Sequence, residues 1–204
     1  MNWLRELFGG REKDELESEM EALLAKQTGD PAYLHRTRWV TAYGRKDYKT
    51  ALAELAQALR LVPGSAIYLA LRGMTHWTMG NRRAAYADWD AAQRSNPTQK
   101  EVADLHEILM ADVRECRDRA RRLAANGSYQ QCLAELNQAL ESDPENAATL
   151  FFRGMIQAKV ENLNAAISDV SHALDLDPGC GDGQGTTGRQ VLQSLQNMAR
   201  RRAA

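Results

Sequence analysis

The stretch from Ala66 to Pro97, AIYLALRGMTHWTMGNRRAAYADWDAAQRSNP, decides the fold. It predicts two short helices that fold back on each other, because Gly80 lies between two apolar-patterned segments and tolerates a positive φ. Gly73 is small enough to let the two helices approach closely. The proline at the end of the stretch stops the second helix. That helix carries small, large and small residues at helical spacing, namely Ala85, Trp89 and Ala92.

The same features recur at fixed distances before three further prolines, Pro63, Pro144 and Pro178. Twelve residues before each proline stands a small residue, eight before it a large apolar residue, and five before it an alanine. Outside the opening stretch these positions are Ala51, Leu55, Ala58, Cys132, Leu136, Ala139, Ala166, Val170 and Ala173. Two intervals agree (97 − 63 = 34 and 178 − 144 = 34). A shift of 81 residues (129 − 48) lays residues 48–97 over residues 129–178 with 20 identities. A pair of repeats was therefore copied.

Length and composition exclude some classes of protein. The 204 residues are 44% hydrophobic, which is enough for one elongated domain with a sizeable core. A net charge of −1 gives no bulk attraction to nucleic acid or anionic membrane. There is no apolar run of about 18 residues and no signal-peptide core, so we expect neither a spanning helix nor classical export. Cys116, Cys132 and Cys180 have no metal-ligand spacing, so we expect no metal, no cofactor and a reducing, cytoplasmic setting.

The repeats divide the chain into five predicted segments. Residues 1–30 form an N-terminal helical cap, in which the apolar face of residues 1–8 is either an anchor for a membrane or partner or a flap on the first repeat. Repeat pair one spans residues 31–97, and repeat pair two spans residues 113–178. Between them, residues 98–112 continue one apolar stripe without Gly or Pro, which predicts a single long helix. Residues 179–204 form a flexible Gly-rich linker and a closing helix, with Val191, Leu192, Leu195 and Met198 on its apolar side.

The first repeat is the least regular. Asp30 is expected to cap its first helix, with Pro31 at the first helical position. Trp39 stands where the other repeats place a small residue, at Gly73, Ala120 and Gly154. Either the first helix pair is splayed there, or the register slips by one residue in the turn at 44–47. The sequence leaves both alternatives open.

The 34-residue period with its small residue, large apolar residue and closing proline resembles the tetratricopeptide repeat over residues 31–178. The resemblance implies an all-α helical-repeat solenoid, a right-handed superhelix of four repeats arranged as two duplicated pairs joined by a long helix, with capping helices at both ends. It also implies a concave groove, lined by the first helices, that holds an extended peptide or a helix of a partner protein. Mapped onto this sequence, the lining is Tyr33, Arg36, Val40, Tyr43, Ile67, Ala70, Met74, Trp77, Arg114, Arg117, Arg121, Ala124, Phe151, Met155 and Ala158.

Each repeat also departs from the family pattern in the same way. An arginine stands 25 residues before each proline, and an acid stands nine residues before it. The predicted structural pairs, each tying the two helices of its own repeat, are Arg38–Glu54, Arg72–Asp88, Arg119–Glu135 and Arg153–Asp169. A site lined by these arginines is the alternative interpretation.

The function that follows is a non-catalytic adaptor for a partner segment with apolar and acidic residues. The arginine stripe Arg114, Arg117 and Arg121 would select the acids, although i,i+4 pairs with neighbouring acids make a self-paired, solvated face an equal alternative. The lysine–asparagine–arginine clamp of some family members is absent, since Val40, Leu71 and Phe152 take its places, which disfavours chaperone-tail binding. A chaperone for secreted or membrane proteins is the runner-up. An RNA or polyanion binder is less expected, because no stacking aromatics interleave the arginines. The four histidines are scattered, so we expect no enzyme.

Overall fold

The computed structural model describes residues 26, 28–30, 32–181 and 185–203. Within them the chain forms nine α-helices and no strand, so the predicted all-α class is confirmed. The helices are α1 Tyr33–Gly44, α2 Tyr48–Leu61, α3 Ala66–Thr78, α4 Arg82–Ser95, α5 Lys100–Ala125, α6 Tyr129–Ser142, α7 Ala147–Lys159, α8 Leu163–Leu176 and α9 Gly188–Ala203. Two compact units result, unit 1 ending at Leu105 and unit 2 beginning at His106. The predictions for the apolar face of residues 1–8, for the rest of the N-terminal cap up to residue 25 and for Pro31 lie outside the described residues.

The turn inside each helix pair has the same geometry in all four repeats. One residue with positive φ precedes the cap of each second helix, at Lys46, Gly80, Gly127 and Glu161. The caps at positions 47, 81, 128 and 162 each lie sixteen residues before the repeat's proline (63 − 47 = 97 − 81 = 144 − 128 = 178 − 162 = 16). The first repeat therefore has no register slip. Trp39 keeps the position of the small residues, and its indole Nε1 donates a hydrogen bond to Thr75 Oγ1 in α3 at 3.0 Å.

The start of α1 differs from the expectation. Ala32, not Asp30, is the residue at the N-cap. The Asp30 carboxylate instead accepts hydrogen bonds from the Ala32 amide (2.9 Å) and from the phenol of Tyr68 in α3. Burial of the phenol, and then its bond to this carboxylate, raise the pKa of Tyr68. Asp30 thus joins the start of α1 to α3 through Tyr68, and it is not the N-cap residue of α1.

The repeated apolar positions form the core of each helix pair. Eleven of the twelve have no exposed area, and Trp89 alone of the twelve is partly exposed. Gly73 and Gly154 lie where the paired helices approach most closely. A Cβ at either position would stand 3.1 Å from a carbonyl oxygen of the facing helix, that of Ala85 or of Ala166. Only glycine fits this approach without a shift of the backbone.

Helix α5 runs without a break for 26 residues. It is the long helix that the uninterrupted apolar stripe predicts. It begins at Lys100, two residues later than Thr98, because the Thr98 amide donates to Asn96 Oδ1 (3.1 Å) in a turn. Within unit 2, its later residues Val113 and Cys116 pack against α6.

The described part of the segment after Pro178 is a closed loop, not the expected flexible linker. Gly188 N donates to Cys180 O at 2.8 Å, and an antiparallel bridge joins Gly181 to Thr187. The Cys180 side chain is buried in the core formed by residues of α6, α7, α8 and α9. In α9, Val191 and Leu195 are buried as predicted, but Met198 is 49% exposed. None of the helices in the described ranges combines the length and the apolar character needed to cross a membrane.

Candidate binding cleft

Three of the four predicted arginine–acid pairs are present. Arg72 Nε and Nη2 donate hydrogen bonds to the Asp88 carboxylate, with donor–acceptor distances of 2.6–3.2 Å. Arg153 contacts both oxygens of Asp169, at 2.6 and 2.7 Å, and its third nitrogen donates to Asn137 of α6 at 2.9 Å. Asp88 and Asp169 are buried, with exposures of 6% and 7%. The bond to Asp88 is the largest cause of the raised pKa of Arg72. Both arginines join the two helices of their own repeat, and the bond to Asn137 also joins Arg153 to the preceding repeat.

The third and first repeats vary this arrangement. Arg119 Nε donates to Glu135 at 2.8 Å, while its other nitrogens donate to Glu115 and to the Cys116 sulfur. In the first repeat, the Glu54 carboxylate lies 2.8 Å from Nδ1 of His35, which stands one helical turn before the predicted partner Arg38. The link between the two helices of the first repeat is thus a histidine–carboxylate contact.

Several of the predicted groove residues of unit 1 are buried or pack against its core. Ala70 has no exposed area, so it does not face an open groove. Ile67 and Met74 are partly buried and pack against the core around Leu71. Tyr33 is partly buried, whereas Val40 is 56% exposed.

Two of the predicted aromatic groove residues belong to unit 1, Tyr43 in α1 and Trp77 in α3. The Tyr43 hydroxyl is 2.8 Å from Thr78 Oγ1, and the Tyr43 ring packs between those of Trp39 and Tyr48. The Trp77 side chain is partly buried, and its indole Nε1 is buried without a hydrogen-bond partner. A buried N–H without an acceptor is rare and unfavourable.

The arginine of the unit 1 groove has an internal partner. The Arg36 guanidinium lies 3.6 Å from Glu101 Oε1, in the first turn of α5. Glu101 also accepts a hydrogen bond from the Gln99 side chain at 2.5 Å. Arg36, predicted as a ligand-facing residue, therefore already has a carboxylate of the chain itself as a partner.

In unit 2 the structure brings four predicted site residues together in one cleft of about 600 Å³. They are Arg117, Arg121, Phe151 and Met155. The remaining lining residues, which the sequence analysis missed, are Ala148, Phe152, Ile156, Lys159, Asp177, Cys180 and Gly181. The floor is apolar and comes from α7, and one wall carries the arginines of α5. We call this the unit 2 cleft.

Electrostatics single out Arg117 within the unit 2 cleft. Its Nε is buried and makes no hydrogen bond to any of the residues that the structure describes. Burial, and then repulsion by Arg121, lower the pKa of the Arg117 guanidinium, and the attraction of Asp118 opposes this only in part. Asp118 itself accepts a hydrogen bond from Arg121 at 2.7 Å. Arg117 is thus a half-buried cation that lacks the carboxylate clamp of Arg72 and Arg153 within the described residues.

The structure divides the predicted arginine stripe. Arg114 is exposed and does not line the unit 2 cleft, so of the three predicted arginines only Arg117 and Arg121 belong to the cleft lining. Of the expected i,i+4 pairs, Glu115–Arg119 is formed at 2.6 Å, whereas Asp118 pairs with Arg121 at i,i+3. Ala124 and Ala158 are partly buried and lie outside the cleft lining.

The lining residues that the sequence analysis missed differ in whether a sequence pattern could have identified them. Phe152 and Lys159 are on the same helix as Phe151 and Met155, at positions that helical spacing could have flagged. Asp177, at the C-cap of α8, and Cys180, in the closed loop, also line the cleft, and no sequence pattern predicts this placement. Across the part of the chain that the structure describes, no group of three histidine, cysteine or acidic side chains could hold a metal ion.

Comparison with known proteins gives distant relatives. No protein-family model matches the chain. Proteins called tetratricopeptide repeat protein 16 in Homo sapiens, Macaca fascicularis and Mus musculus are 23% identical to it over 131 residues. The match covers 64% of this chain, but 15% of the human and macaque proteins and 17% of the mouse protein. The chain therefore matches only a small part of these relatives.

Solved structures resemble the chain more loosely. A fragment of MamA from Desulfovibrio magneticus RS-1 has a TM-score of 0.37 and 20% identity, and the match covers 83% of this chain and 86% of that one. A thermophilic tetratricopeptide repeat protein from Thermus thermophilus has a TM-score of 0.35 and 23% identity, with coverages of 69% and 71%. The yeast Sti1 domain in complex with an HSP90 peptide has a TM-score of 0.34 and 16% identity, with coverages of 76% and 68%. Scores this low carry no conclusion about function.

Proposed function

We propose that this chain, a tetratricopeptide repeat protein by its repeats and its curated relatives, is a non-catalytic adaptor that binds a segment of another protein. The binding surface is the groove side of its first helices, and the partner segment combines apolar and acidic residues. The unit 2 cleft is the main contact. Unit 1, taken by itself, offers Tyr43, Met74 and Trp77 as apolar contact residues.

The observation that carries the proposal is the composition of the unit 2 cleft. Phe151 lines the cleft but is only 5% exposed and belongs to the core of unit 2, whereas Phe152 and Met155 are partly exposed and offer an apolar surface. A few well-packed anchors of this kind supply most of the energy at many protein interfaces. Arg117 supplies a partly exposed cation that lines the cleft. A carboxylate of a partner in the cleft would pair with this guanidinium, and such charge-assisted bonds are stronger than neutral ones. The apolar side chains and the cation together fit a peptide segment with apolar and acidic residues.

Site-specific photo-crosslinking tests the proposal. A photoreactive phenylalanine analogue replaces Phe152, which is partly exposed and lines the unit 2 cleft. In an extract of the native source, irradiation should join the chain to a specific partner, and digestion should map the crosslink to a segment with apolar and acidic residues. The same analogue at His172, an exposed position on α8, is the matched control. Capture of the same proteins at both positions, or of none at position 152, would contradict the proposal.

A further inference from the structure

One turn of the molecule carries a dipeptide that the rest of the chain lacks. Asn126 is followed by Gly127 in the turn between α5 and α6, and no other asparagine of the sequence precedes a glycine. Both residues are exposed. Glycine has no Cβ to keep the side-chain carbonyl carbon of the preceding residue away from its nitrogen. Asparagine is in addition one of the thermolabile residues of proteins. This turn is therefore where the side chain and the main chain are best placed to react.

The structure leaves the Asn126 side chain free to approach the next nitrogen. It forms no hydrogen bond with any residue in the described ranges. Other asparagines have their side-chain oxygen engaged as an acceptor, from a main-chain N–H or from an arginine, namely Asn81, Asn96, Asn137 and Asn146. The remaining described asparagines cap or belong to a helix and precede residues with side chains, namely Asn162, Asn164 and Asn197.

We propose that Asn126 is a site of spontaneous deamidation, in which the chain modifies itself and water is the only other reactant. The Gly127 nitrogen attacks Asn126 Cγ. A bond from this nitrogen to Cγ forms, the bond from Cγ to Nδ2 breaks, and the Gly127 proton leaves with Nδ2 as ammonia. Water then opens the cyclic imide at one of its two carbonyl carbons, giving its hydroxyl to that carbon and a proton to the nitrogen. Opening at Cγ yields aspartate, and opening at the main-chain carbonyl carbon yields isoaspartate.

The hydrogen bonds of the turn control the rate of this reaction. Gly127 N–H donates to Ala124 O at 3.1 Å, and Ser128 N–H donates to Leu123 O at 2.9 Å. The Gly127 nitrogen must leave the first of these bonds before it attacks. Exposed turns open locally at a low cost in free energy. The reaction therefore proceeds in the folded chain, but more slowly than in an unfolded one.

Either product changes the pair of helices α5 and α6. A carboxylate replaces a neutral amide in a cleft of about 510 Å³ that Asn126 lines together with Arg119 and Arg122. The chain becomes one unit more negative than its formal net charge of −1. Isoaspartate also adds a methylene to the main chain, so the two hydrogen bonds of the turn cannot both keep their geometry. The aspartate form should melt close to the parent chain, and the isoaspartate form at a lower temperature.

Peptide mapping of the full-length chain tests the proposal. The protein is aged under native conditions in mildly alkaline buffer, and fragmentation mass spectrometry of its tryptic peptides then locates each asparagine whose NH₂ has become OH, relative to an unaged sample. Residue 126 should convert before Asn137 and Asn146, which lie on the same tryptic peptide. Ion exchange should show a species one charge unit more negative accumulating at the same rate. Asn126→Gln should abolish this species, because the longer side chain closes a less favourable ring.

The second repeat offers a matched variant that should gain the reaction. Met79 precedes Gly80, is 51% exposed and occupies the place that Asn126 has in the third repeat. Gly80 N–H donates to the carbonyl three residues before it, that of Trp77, at 2.8 Å, as Gly127 N–H does to Ala124 O. Met79→Asn should therefore create a second site of conversion.

Two results overturn the inference. The first is no conversion at residue 126 of the native chain by the time that the free peptide RLAANGSYQ, residues 122–130, has fully converted. The turn would then hold the Gly127 nitrogen in place. The second is conversion of Asn137 or Asn146 as early as that of Asn126, which would mean that neither the glycine nor the unbonded side chain directs the reaction.

Discussion

The bond between Arg153 and Asp169 gives the sharpest test of how the helix pairs are held together. Replacing Asp169 by alanine removes two charge-assisted contacts, at 2.6 and 2.7 Å, from a carboxylate that is only 7% exposed. Stranding a buried charge typically costs about 3–5 kcal/mol. Arg153 is 23% exposed and keeps its bond to Asn137, so we expect the lower end, about 3 kcal/mol.

The assay is thermal unfolding followed by circular dichroism. For a chain of this size each kcal/mol lowers Tm by about 2–4 °C, so Asp169→Ala should lower it by roughly 6–12 °C. Asp175→Ala is the matched control, because it removes the same charge from an exposed position on the same helix. That change should alter stability by less than about 0.5 kcal/mol.

A double variant separates the pair from the packing around it. Replacing Arg153 by methionine and Asp169 by leucine removes both charges together, and it should recover much of the lost stability because no buried charge remains unpaired. The reasoning would be refuted if Asp169→Ala melted like Asp175→Ala. It would also be refuted if the double variant were less stable than Asp169→Ala.

Three further outcomes are expected. Burial lowers the pKa of His76 below its ordinary value of 6.5; the nearby Asp88 carboxylate opposes this in part, and Arg72 adds to it. The unfolded chain therefore binds more protons, and stability should fall from pH 7 to pH 5. Urea midpoints should show a smaller fall for His76→Gln, whereas His172→Gln, at an exposed position, should behave like the parent. Gly154→Ala should cost about 1–3 kcal/mol by overpacking, while Gly44→Ala, with open space around its Cβ, should stabilise by about 0.4–1 kcal/mol; equal melting of the two would contradict the packing argument. Glu107→Pro, at an exposed position inside α5, should cost about 3 kcal/mol or more relative to Glu107→Ala, and equal helicity of the two by circular dichroism would refute an unbroken helix.

The sequence alone determined the parts of this protein that repeat. Small residues facing a large one at fixed distances before a proline specify a close helix pair, because only small side chains let two helices approach. Recurrence in all four repeats also marked the arginine–acid pairs, such as Arg72–Asp88, since an unselected surface charge would not keep its spacing. The absence of Gly and Pro across α5 was enough to predict one long helix.

Only the tertiary structure decided the features that depend on a single loop or a single neighbour. The glycine content of residues 179–188 predicts a flexible linker. In the structure, however, Cys180 is buried and a bridge joins Gly181 to Thr187, so the described part of this segment turns back on itself. Arg36 and Arg117 are equivalent by sequence. They differ in their described surroundings, because the Glu101 carboxylate lies 3.6 Å from Arg36 whereas Arg117 lines the unit 2 cleft. Periodicity specifies which face of a helix is buried, but not which neighbour covers it.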